Sequence, residues 1–85
     1  MGLYKVTLRI NVEMKESKTS KPLGKYTGLV KSESKENAKQ LAWDYYKQVI
    51  LNNLKDEIDD VFLVDAFVQE ADNGIAGYFL SFILT

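Results

Sequence analysis

Chemistry in this chain would have to come from carboxylates, amines, phenols and hydroxyls, because its 85 residues include no histidine and no cysteine. Without imidazole there is no histidine-built zinc site, no Ser-His-Asp relay and no ordinary general base near neutral pH. Without thiols there are no disulfides, thiolate nucleophiles or thiolate metal sites, which fits an intracellular protein. The densest acidic run, Asp56-Glu57-Ile58-Asp59-Asp60, offers hard oxygen ligands of the kind calcium or magnesium takes. It lacks the EF-hand spacing and its turn glycine. No glycine-rich phosphate loop, nucleophile elbow or metal-ligand spacing occurs elsewhere. The reading is therefore a non-catalytic protein, with no catalytic residue, no metal and no cofactor.

Charge is more informative than chemistry. The net charge is −1, but residues 1–42 hold nine basic and four acidic side chains, whereas residues 43–85 hold two basic and eight acidic ones. An imbalance of this kind can mark a surface for nucleic acid or for an acidic partner. Lys5, Arg9, Lys15, Lys18, Lys21 and Lys25 would line a basic N-terminal hairpin, and a basic two-stranded ribbon can enter a nucleic-acid groove. Against that reading stand a single arginine, a pI near 5.3 and no aromatic residue among the loop lysines. Asp56, Glu57, Asp59 and Asp60 support a further alternative, an acidic decoy that imitates a phosphate backbone and inhibits a nucleic-acid-binding enzyme. The bland alternative for both clusters is a solvated, solubilising surface.

The elements that must position these groups follow from periodicity. Tyr4, Val6, Leu8, Ile10, Val12 and Met14 alternate with polar residues, which predicts a half-buried antiparallel strand over 3–14. Residues 15–23 read as a polar loop holding the one proline, and 25–33 as a second strand in which Gly28 marks a bulge or a close approach. Ser34 is placed to cap a helix over 35–53, with Ala38, Leu41, Ala42, Tyr45 and Val49 on its apolar stripe. Two apolar runs, 61–70 and 75–84, flank Asn73-Gly74, the strongest short hairpin signal. The expected fold is α+β in ββαββ order. One domain over residues 1–85 holds a four-stranded, mostly antiparallel sheet with a helix packed on one face.

Strict alternation through the second hairpin sets Val64 opposite Ile83. It puts Phe62, Val64, Ala66 and Val68 on one face, and Leu63, Phe67, Tyr78, Leu80, Phe82 and Leu84 on the other. One helix covers one face, so the second would be left bare, and monomers seldom tolerate an apolar patch of several hundred Å². Trp43 and Leu54 extend the helix stripe beyond what one sheet buries. These residues predict contact with a second copy or with another protein. No stretch is long and apolar enough to span a membrane, and no signal peptide is legible, so a cytoplasmic location is expected. The favoured function is a small homodimeric interaction module. It would act as an accessory or inhibitor protein, of the kind phages and mobile elements encode, by occupying a partner surface.

Overall fold

The computed structural model describes residues 2–71 and the backbone of Ile83–Leu84. Along the chain come β1 (Gly2–Met14), β2 (Ser20–Ser32), α1 (Lys35–Asn53), β3 (Ile58–Glu70) and the two-residue β4 (Ile83–Leu84). The fold is α+β, a three-strand antiparallel sheet with α1 on one face. β1 is central and pairs with β2 on one side and β3 on the other.

The alternation of β1 explains its central place. Val6, Leu8, Ile10 and Val12 are at most 1% exposed and Tyr4 is 8% exposed, all directed into the core beneath α1. The helix adds Ala38, Ala42 and Ile50, and β3 adds Ile58 and Val61. Ser34 caps α1 as its position predicts: its backbone is extended and its Oγ accepts the amide of Asn37 at 3.1 Å. The apolar stripe is rotated from the expected one. Ala38, Ala42, Tyr46, Ile50 and Leu54 meet the sheet, whereas Leu41 and Tyr45 are 41% and 49% exposed. Tyr46 anchors that rotation, since its ring lies 5.2 Å from Tyr26 and its hydroxyl donates to the Thr27 carbonyl at 3.1 Å.

The connection between β1 and β2 is shorter than the sequence predicts. Met14 N–H donates to Thr19 at 2.8 Å and Lys18 N–H to Met14 at 3.0 Å, with Lys18 in the left-handed region at φ 59°. The turn therefore closes at residue 19, and β2 begins at Ser20. Gly28, expected at a bulge or a close approach, is not at a bulge: it sits in the regular ladder opposite Val6. The break comes earlier: Ile10 faces Gly24 and Asn11 faces Pro22, so Leu23 is extra, and Gly24 has φ 147°.

A second break reverses an expectation about faces. Arg9 pairs with Asp65 and Ile10 with Leu63, so Val64 has no opposite residue. An extra residue shifts the alternation by one. Val61 and Leu63 before it, and Ala66 and Val68 after it, all pack with the core. Phe62 and Phe67 point away from the helix together. The grouping of Phe62 and Val64 with Ala66 and Val68, and of Leu63 with Phe67, is thereby overturned.

The expected strand over 75–84 is not seen among the described residues. Its Asn73-Gly74 turn and residues 75–82, with Tyr78, Leu80 and Phe82, lie outside them. Ile83 and Leu84 pair in parallel with Leu29 and Val30, on the far side of the sheet from β3, so Ile83 does not stand opposite Val64.

Candidate functional site

With α1 on one side of the sheet, the other side is built from the odd-numbered residues of β1 and their neighbours. Rows across the strands read Lys31–Leu3, then Leu29–Lys5–Gln69, Thr27–Thr7–Phe67, Lys25–Arg9–Asp65, Pro22–Asn11–Phe62 and Ser20–Glu13–Asp60. Phe67 is 63% exposed and Phe62 40%. They stand beside Thr7 and Asn11, roughly 13 Å apart at the rise of a strand. Thr7 and Thr27 hold their row by a hydroxyl–hydroxyl hydrogen bond of 3.3 Å. Leu29 is the buried member of this face, between Lys5 and Ile83.

The alternation of β1 is what gathers the charge. Every core residue of β1 is even-numbered, so Lys5 and Arg9 must share the opposite face, and pairing brings Lys25 beside Arg9 and Lys31 beside Leu3. Asp65 is the carboxylate among them, opposite Arg9, and its Oδ1 accepts the amide of Ala66 at 2.9 Å. A shallow depression of about 110 Å³ opens here, lined by Thr7, Arg9, Lys25, Asp65, Ala66 and Phe67. That is well below the roughly 300 Å³ at which enclosed small-molecule sites begin. The surface suits something that lies across it.

The predicted nucleic-acid residues are thus divided. Lys5, Arg9 and Lys25 belong to this open face. Lys15, Lys18 and Lys21 lie at the hairpin tip, against the connector that holds the acidic run. The tip and connector are joined by the bond from Lys15 N–H to Glu57 at 2.9 Å. Lys18 Nζ pairs with Asp59 at 2.5 Å, and Lys15 Nζ donates to the Lys55 carbonyl at 3.1 Å. The hydrogen bond to Lys18 holds the Asp59 carboxyl below its ordinary range, and that to Asp59 raises the Lys18 amine. Asp60 accepts the amide of Val61 at 2.8 Å. Asp56 and Glu57 share a half-open depression of about 550 Å³ with Lys21 and Met14. The acidic run is interleaved with lysines, so the two charge clusters offset each other at this end.

Of the predicted interface residues, Phe67 is on the open face, whereas Leu63, Trp43 and Leu54 are packed against the core. The Lys47 ammonium sits 5.8 Å from the Trp43 ring. Leu84 pairs through its backbone with Val30. Phe62 is a member of the open face that sequence reading missed, and Lys31, at the end of the basic hairpin, joins it. The available signal was Asp65, a carboxylate in an apolar run that must face water and takes Phe67 with it. Phe62 needed knowledge of the extra residue at Val64.

Among the described residues no three Asp or Glu side chains converge as a metal site, and no helix is long and apolar enough to cross a membrane. The chain matches no family model, no curated protein and no solved structure.

Proposed function

We propose that this protein is a small non-catalytic interaction module that docks a macromolecule on the open face of its sheet. It would act as an accessory or inhibitor protein by occupying or presenting a surface. The observation that carries this reading is Phe67, 63% exposed on β3 beside the central strand, where it lines one shallow depression with Arg9 and Lys25. A large aromatic held on a sheet has lost little freedom when it meets a partner, and aromatics and arginine dominate binding energy at such surfaces.

Self-association is the second reading, favoured by the charge gradient along the strands. Lys31 and Lys5 lie at one end of the face, and Glu13 and Asp60 at the other. Two copies packed face to face with strands reversed would place each end over its opposite.

A variant pair tests the proposal. Phe62→Ser with Phe67→Ser alters the open face, and Leu41→Ser with Tyr45→Ser alters the exposed helix surface. Self-association, read as light-scattering mass across a concentration series, and oligonucleotide binding, read as fluorescence anisotropy, are measured for both. Whichever association the unaltered protein shows should fall in the sheet variant and survive in the helix variant. The reverse pattern, or no association in either assay, contradicts the reading.

A further inference from the structure

We infer that the occupant of the open face is a single-stranded nucleic acid, its bases stacked on Phe67 and Phe62 and its phosphates held by Lys31, Lys5, Arg9 and Lys25. The inference rests on the reading above and names the partner of that face. In the sequence the aromatic residues and the N-terminal cations are far apart, which counts against binding of this kind. The sheet removes that objection. Pairing of β1 with β3 sets Phe67 beside Thr7 and Phe62 beside Asn11, and the row between them is Lys25–Arg9–Asp65.

Charge selects the occupant. The chain as a whole has a net charge of −1. Yet from Lys31 to the Lys25–Arg9 row this face carries Lys31, Lys5, Arg9 and Lys25 against Asp65, with Glu13 and Asp60 lying beyond Phe62 at the far end. An apolar partner would leave those cations unmatched. A single strand offers both counterparts at once, a charged backbone and π-faces that stack without regard to sequence. Duplex DNA hides its base faces, and a three-strand sheet is wider than its major groove admits. Thr7, Thr27 and Asn11 supply hydrogen-bonding groups beside the rings. The site at the hairpin tip does not compete, because Lys18 is paired with Asp59 there and Lys15 is turned to the Lys55 carbonyl.

Anisotropy of labelled oligo-dT and oligo-U of about 12 nucleotides, a length within the range one such module covers, is the test. Binding should be clear at about 50 mM salt and fall steeply by about 200 mM. Phe67→Ala should weaken it about tenfold or more through lost stacking. Arg9→Gln with Lys25→Gln should lower the slope of log affinity against log salt by about 1.4, the value for two lost phosphate contacts on a single strand. Phe67 and Arg9 are exposed, so a melting curve superimposable on that of the unaltered protein separates lost binding from lost fold. No binding at low salt overturns the inference, as does binding that Phe67→Ala leaves unchanged or binding in which a duplex of equal length competes equally. If the strand does not bind but Phe62→Ser with Phe67→Ser abolishes self-association, the inference fails and the docking face stands. If the strand binds and only Leu41→Ser with Tyr45→Ser weakens it, the docking face itself is wrong.

Discussion

Lys18 and Asp59, 41 positions apart, form an ion pair that fastens the tip of the β1–β2 hairpin to the start of β3. Lys18 sits in the turn with a left-handed backbone, and Asp59 is the residue left without a partner where the β1–β3 register shifts between Glu13 and Met14. Two clusters that look like opposite binding surfaces in the sequence are, at this end, each other's counterions.

That pairing sets a pH dependence. The Asp59 carboxyl is held below its ordinary value of 3.8 by the hydrogen bond from Lys18. A depressed carboxyl contributes stability that is present above the unfolded value and lost as pH falls through the folded one. The raised Lys18 amine contributes below its ordinary 10.5 and loses that contribution as pH rises through the folded value. Melting temperature should therefore decline at the acid extreme by more in the unaltered protein than in Asp59→Asn. The effect should shrink in high salt, because both groups are exposed. Equal acid sensitivity in the two proteins would remove the pair from the account.

The extra residue at Val64 makes a contrast in stability. Leu8 is fully buried on the central strand, so Leu8→Ala should cost about 2–4 kcal/mol in denaturant unfolding. Strict alternation would ask the same of Val64. At 51% exposure Val64→Ala should instead cost about 0.5 kcal/mol or less. Similar losses at the two positions would mean that Val64 is buried and the register of β3 is wrong.

Gly24 tests the other break. Nothing lies within 4 Å of where a Cβ would stand, so a steric argument alone predicts tolerance. Its φ of 147° is one that L-residues rarely adopt, and Gly24→Ala should destabilise by about 1 kcal/mol or more despite the open space. A neutral result would place the break elsewhere on β2.

Ser34 and Tyr46 position the helix. Ser34→Ala removes the acceptor for the Asn37 amide and should cost about 1 kcal/mol. Tyr46→Phe removes a half-buried donor to the Thr27 carbonyl and should also cost about 1 kcal/mol. Burial raises the Tyr46 phenol, so its absorbance should titrate above the ordinary tyrosine range.

What could be read from the sequence tracks how local the cause is. β1 follows from its own alternation, and the cap at Ser34 and the span of α1 follow from residues within a turn of each other. The breaks at Leu23, Asp59 and Val64 depend on which strands pair and in what register, a property of two distant segments at once. A single extra residue then reverses every face beyond it, which is why Leu63 and Phe67 are parted and Phe62 joins Phe67. The open face was legible by halves: Lys5 and Arg9 as the wet side of β1, and Phe67 beside Asp65. Only the β1–β3 pairing puts the halves together.

The most direct test of the docking face is an amide NMR map, recorded first over a protein concentration series and then with a single-stranded oligonucleotide added. The account predicts shifts gathered on Lys5, Thr7, Arg9, Lys25, Phe62 and Phe67, with α1 and the connector at 54–57 unmoved. Shifts gathered on α1 or on Asp56–Asp59, with the open face silent, would contradict it.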